Sequence, residues 1–160
     1  MPLIDKAQFR RGKDVEAWLD TFFRARGWMI EQTTPHEERV LCLGDRRFSR
    51  GGQTFTVEIK SGIQTYYSGN IFLETISVDS QNKPGWLFTC KADVIMYAAL
   101  LNYKILVFKP QQLRDKIAML RSRFREVATS HHQNDGYNTW GLLVPLAVAE
   151  KELAVQVITL

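Results

Sequence analysis

The stretch TFTVEIKSG, residues 54–62, has the alternation of a half-buried β-strand. Phe55, Val57 and Ile59 alternate with Thr54, Thr56, Glu58 and Lys60, a period of two that sends apolar side chains to one face and polar ones to the other. The polar face ends in an acid and a base. With a rise of about 3.3 Å per residue, Glu58 and Lys60 project from the same face roughly 7 Å apart, so one pocket can receive both. An acid and a base on a solvated strand face also pair weakly by accident. What the rest of the chain brings to this strand decides between the two.

Working outward, RVLCLGDRRF (39–48) and residues 54–61 are β-prone runs on either side of SRGGQ, whose glycine pair suits a tight reversal. An antiparallel hairpin is expected. A turn centred near Gly51 sets residue 45 roughly opposite residue 57 and brings Asp45 beside Glu58, with Glu38 as the alternative acid if the hairpin is longer. Upstream, Val15, Trp18, Leu19, Phe22 and Phe23 form one stripe of an amphipathic helix over residues 13–26, stopped by Gly27. Residues 28–33 read as a short strand ended by Pro35. Glu16 lies on the helix beside Val15 and one turn from Asp20, where it is either a site acid or the edge of the polar face.

Two carboxylates and an ammonium are the charges that phosphodiester hydrolysis requires. Carboxylate oxygens hold a hard cation such as Mg²⁺, or Mn²⁺ in its place. Such a cation polarises the phosphoryl oxygen and lowers the pKa of a bound water. A lysine beside that water can orient it or help take its proton, and its charge meets the phosphate.

Asp45, then Glu58-Ile59-Lys60 on the adjacent strand, after a helix carrying Glu16, resembles the PD-(D/E)XK nuclease superfamily, the restriction-endonuclease-like fold. The resemblance covers roughly residues 13–108 in element order and rests on four identities. Gly44 stands before Asp45, where the family commonly has proline. The resemblance implies a restriction-endonuclease-like α/β core, a central mixed sheet flanked by helices, in the order helix, three-strand meander, helix, strand, helix. It implies an enzyme that hydrolyses DNA, as an endonuclease, with Asp45, Glu58 and Ile59 at the metal, Lys60 placing the water and Glu16 in support. Many members act as dimers, so a homodimer is a possible assembly. The rival from another class is a nucleic-acid-binding or structural protein that keeps the fold without catalysis.

Around this core, IFLETIS (71–77) is another strand candidate, and Glu74 within it is either an auxiliary site acid or the partner of a sheet-edge base. Gln64, Tyr66 and Tyr67 follow the central strand directly and are candidates to meet phosphate or stack on an unpaired base; packing is the competing role. Ala92, Ile95, Met96, Ala99 and Leu100 give helical spacing, so a helix capped by Thr89 is expected to about Leu101. Trp86, Met96 and Tyr97 read as core. KILVFK (104–109) is a compact strand, and Pro110 opens a long helix with Leu113, Ile117, Leu120 and Phe124 on its apolar stripe. Arg121 and Arg125 on its basic side are candidates for contact with the DNA backbone, against a plain solvated face. Residues 129–139 are a polar loop in which His131 and His132 lack a metal-ligand pattern. The tail after residue 140 has strand or short-helix character.

The 160 residues suit one domain, and 45% hydrophobic content supplies a core. A net charge of +4 and a pI near 9.2 lean toward polyanionic partners without deciding for one. Cys42 and Cys90 stand apart among apolar or small neighbours, as buried free thiols of a reducing cytoplasm do. No run approaches 18 uninterrupted apolar residues and no secretory leader is evident, so a soluble intracellular protein without membrane contact is expected.

Overall fold

The hairpin around Gly51 organises the chain. In the computed structural model, which describes residues 4, 6, 9, 11–129 and 136–160, α1 (Gly12–Arg24) is followed by β1 (Met29–Gln32), a short α2 (Pro35–Arg39), β2 (Arg46–Arg50) and β3 (Gln53–Ser61). Gly51 and Gly52 turn between β2 and β3 at φ of 57° and 79°, the left-handed region that glycine enters without strain. The three strands form the expected antiparallel meander, with Ile30 opposite Phe48 and Phe48 opposite Phe55. Then come α3 (Ile63–Ser68), β4 (Asn70–Val78), β5 (Lys83–Pro84), α4 (Trp86–Thr89), β6 (Val94–Ala99), β7 (Lys104–Phe108), α5 (Pro110–Asp115), α6 (Ile117–Arg123), β8 (Glu126–Thr129), β9 (Thr139–Pro145), α7 (Leu146–Val148) and β10 (Gln156–Thr159).

The result is a mixed α/β architecture. A six-stranded mixed sheet runs in the order β1-β2-β3-β6-β7-β10, with β3 and β6 parallel and its other neighbours antiparallel. On one face, the α1 stripe of Val15, Trp18, Leu19, Phe22 and Phe23 packs against Phe48, Val57, Ile59 and Met96. On the other, Ile95, Tyr97, Leu106 and Phe108 meet a second sheet, order β5-β4-β9-β8, through Ile71, Leu73, Leu142 and Val144, with Leu113, Ile117 and Leu120 from the last two helices.

Three expectations need correction. Residues 94–99 are a strand, not part of a helix from Thr89 to Leu101. Its side chains enter both cores, Ile95 and Tyr97 one and Met96 and Ala98 the other, so the segment is apolar throughout and its periodicity cannot separate strand from helix. Residues 40–45 are not strand: Cys42 and Gly44 take φ of 56° and 91°, which no ladder accommodates, and β2 starts at Arg46. The IFLETIS strand is present as expected and lies in the second sheet. The long final helix is two, broken at Lys116. His131 and His132 lie outside the described residues.

Candidate active site

β3 changes partners along its length. Residues 53–57 pair with β2 and residues 57–61 with β6, so Val57 alone is registered to both neighbours. Beyond Val57 the β2 side of the strand is open, and Asp45 fills it. The Asp45 amide donates to the Val57 carbonyl (2.8 Å), and its Oδ2 accepts from the Ile59 amide (2.7 Å), so the side chain replaces the missing strand by one rung. Gly44 makes this possible. A Cβ there would stand 2.5 Å from the Val57 carbonyl oxygen, at a φ that a side chain already disfavours. Thr33 holds the approach, donating its hydroxyl to the Gly44 carbonyl (2.6 Å) and its amide to the Asp45 carbonyl (3.2 Å).

Around Asp45 the charges converge from several elements. Glu58 and Lys60 project together as the alternation requires, Lys60 Nζ 2.5 Å from Glu58 Oε1, both side chains mostly covered. Lys60 Nζ also stands 5.8 Å from the ring centre of buried Trp86. Glu74 approaches from the second sheet: one of its oxygens accepts the Trp86 amide (3.2 Å), and its charge is felt at Lys60. From α1, Glu16 bonds Arg46 (3.1 Å), whose guanidinium also takes Asp20 (3.1 Å) and donates to the Asp45 carbonyl (3.1 Å). Arg46 is 7% exposed, so the acids flanking it offset the cost of burying its charge.

Burial raises the Glu58 carboxyl above the ordinary value; Asp45 and the more distant Glu38 push the same way, and Lys60 opposes them. Glu16 is also raised, by burial and then by Asp45, against the pull of Arg46. For Lys60, burial alone would lower the value, but Glu58, Asp45 and Glu74 outweigh it and hold the ammonium above its usual range. Lys60 is therefore a fixed cation at neutral pH and an acid crowd surrounds it.

The sequence-predicted residues divide accordingly. Asp45, Glu58, Lys60 and Glu16 come together, with Ile59 giving its amide to Asp45, and Glu74 closes the side toward the second sheet. Glu38, exposed on α2, is near enough to act on Glu58. Gln64 and Tyr66 lie on α3 immediately beyond the strand, both exposed. Arg121 instead pairs with Glu126 (3.8 Å) and lies 5.8 Å from Phe88, while Arg125 gives its carbonyl to Leu143; among the described residues neither shows a contact with Asp45, Glu58 or Glu16. Two neighbours of the candidate site escaped the sequence reading. Arg46 carried a signal, a charge at the inward parity of Phe48; Trp86, expected only as core, is also the aromatic wall over Lys60.

The donor types, all oxygen, are those that a hard divalent cation takes. Asp45, Glu58 and Glu16 offer carboxylate oxygens, and in a strand the Ile59 carbonyl points to the same open edge as its amide. Among the described residues no three His, Cys, Asp or Glu side chains are gathered tightly enough to form a ready metal cage. Burial and then Asp45 raise the Glu58 and Glu16 carboxyls, and a cation bound beside them would favour their ionised forms. No protein-family model matches the chain, and no curated protein or solved structure is significantly similar to it. Among the described residues no helix is long and apolar enough to cross a membrane.

Proposed function

We propose that this chain is a divalent-metal-dependent nuclease of the PD-(D/E)XK type, acting as an endonuclease on DNA phosphodiester bonds. The observation that carries the reading is the convergence of Asp45, Glu58, Lys60 and Glu16 at the open edge of β3. Asp45, Glu58 and the Ile59 carbonyl would hold Mg²⁺ or Mn²⁺, with Glu16 in the outer ring. When bound, the cation supplies Lewis-acid polarisation of the phosphate and a more acidic water. Asp45, tied to the Ile59 amide, presents its carboxylate at a fixed angle. Lys60, held as an ammonium, orients the attacking water and offsets charge on the phosphate; it is a poor proton acceptor in this setting. Trp86 keeps bulk water from one side of the ammonium.

A second reading has support of its own. The Glu58–Lys60 and Glu16–Arg46 contacts satisfy these groups without any ligand, as a structural or nucleic-acid-binding protein would have them. Incubating linear, nicked, branched and single-stranded DNA with Mg²⁺ or Mn²⁺ separates the two. The nuclease reading expects cleavage by the wild type and a loss of at least about 100-fold in Lys60→Ala. No cleavage of any substrate, or equal cleavage by both proteins, sinks it.

A further inference from the structure

Three of the chain's five tyrosines are exposed, and all three gather at the end of β3 and β6 toward which Lys60 lies. Tyr66 and Tyr67 sit on α3, 40% and 66% exposed, their rings perpendicular with centres 5.2 Å apart. Tyr103 is 52% exposed and ends the 100–102 turn that leaves β6, against which α3 packs. Lys6 joins them: its ammonium stands 4.1 Å from the Tyr66 ring centre and 2.8 Å from the Tyr66 hydroxyl, with Tyr67 and Tyr103 nearby.

This surface is rigid where it joins the strand. Gly62 has no room for a Cβ against the Tyr97 ring, and its amide bonds the Ala98 carbonyl (2.9 Å). Thr65, fully buried, reaches the Tyr97 hydroxyl (3.4 Å), which in turn accepts the Phe72 amide (3.1 Å). The inner side of α3 is thereby pinned while its aromatic side faces outward. Chain length keeps Tyr66 within about 15 Å of Lys60, the span of a few nucleotides of unpaired strand.

Rings left in water beside a cation suit one ligand chemistry well: flat bases joined by phosphates. Every base offers a π-face, so stacking tolerates any sequence, and the cation serves the backbone. In duplex DNA the base faces are already covered by neighbouring pairs. We infer that Tyr66, Tyr67 and Tyr103, with Lys6, form a stacking platform for unpaired DNA next to the scissile phosphate. The inference deepens the nuclease reading and rests on it for the word substrate: the chain takes DNA with a single-stranded stretch, such as a flap, frayed end or open branch.

Binding measured in a metal chelator isolates the platform from catalysis. Fluorescence anisotropy of dye-labelled oligo(dT), of the same length of oligo(U) and of a blunt duplex would be compared for wild type, Tyr66→Ala/Tyr67→Ala and Tyr67→Phe. The expected result is at least tenfold weaker oligo(dT) binding in the double alanine variant, near wild-type binding in the phenylalanine variant and little change for the duplex. Circular dichroism of the same variants shows that they fold. Equal oligo(dT) affinity for the folded variants, equal losses on duplex, or tight binding confined to oligo(U) overturns the inference. So does a concentration-dependent dimer that the double variant abolishes with no change in oligo(dT) affinity. A wild type that cleaves DNA but binds oligo(dT) indifferently to both tyrosines loses the platform and keeps the nuclease; one that binds through them and never cleaves does the reverse.

Discussion

Two aspartates patch the same strand in the same way, and only one of them makes a candidate site. Asp93 lies on the β6 side of β3, before the parallel pairing begins at Val94, and its Oδ2 accepts the Thr56 amide (2.8 Å). Asp45 lies on the β2 side, after the antiparallel pairing ends, and its Oδ2 accepts the Ile59 amide (2.7 Å). Each supplies an oxygen where a neighbouring strand is missing. The surroundings differ. Among the described residues Asp93 exchanges hydrogen bonds with Thr56 alone, its amide donating to the Thr56 hydroxyl (3.0 Å). Asp45 has Glu58, Lys60 and Glu16 about it, with burial acting on all three. A carboxylate that completes a ladder is ordinary structure; chemistry begins where further charges converge on it at a cost in desolvation.

The sharpest way to break the comparison is to neutralise each aspartate without changing its shape. Asp45→Asn and Asp93→Asn both keep an oxygen for the strand amide, so the two should cost similar stability, about 1 kcal/mol. Cleavage should fall at least about 100-fold in Asp45→Asn and stay within about twofold of wild type in Asp93→Asn. Matched activity assays and thermal melts decide it. Equal losses of activity in both variants would reduce Asp45 to a structural patch.

Gly44→Ala tests the same edge through the backbone. The substitution forces a Cβ against the Val57 carbonyl oxygen at a φ of 91°. Left-handed backbone alone costs an alanine roughly 1–2 kcal/mol, and relief of the overlap must displace Asp45 from β3. A fall in melting temperature of about 4–8 °C is expected, together with weaker Mn²⁺ binding, followed by calorimetry. A variant that melts like wild type and binds the ion equally would show that the Asp45 anchor does not matter.

The charged half of β3 was legible because alternation fixes side-chain direction: Glu58 and Lys60 had to share a face if the segment was a strand, and the glycine pair located the partner strand that Asp45 immediately precedes. Glu16 was legible as a helix position. Other features were not, for definite reasons. VIMYAA is buried on both sides, so it has no polar face to betray its period. Asp45 lies outside its strand, held by a glycine conformation that composition does not reveal. Trp86 reaches Lys60 only because the second sheet folds over the first, a contact between segments 26 residues apart that no local pattern encodes. Asp93 shows the converse: nothing in its sequence surroundings distinguishes it from a site acid, and only its contacts among the described residues, which bring no convergent charge, do.

The finest distinction between the two ends of β3 lies in their response to pH. The raised carboxyls of Glu58 and Glu16 bind protons more tightly in the folded protein than in the unfolded chain, whose ordinary value is 4.5. Their contribution to stability is therefore fully present below that value and is lost as pH rises through the raised folded values. A cation at Asp45 reverses the balance, because it binds only the ionised groups and must displace those protons. Apparent Mn²⁺ affinity should accordingly climb as pH rises above 4.5 through the raised values of Glu58 and Glu16 and then level, by up to about tenfold for each proton released per pH unit. Glu58→Gln should flatten most of that climb and Glu16→Gln a smaller part, whereas Asp93→Asn should leave the curve unchanged. Calorimetric titrations in buffers of different ionisation heat would count the protons directly. An affinity that stays level across this range, with no proton released, would mean that the crowded acids of β3 are not what the ion meets, and the two aspartates would again be alike.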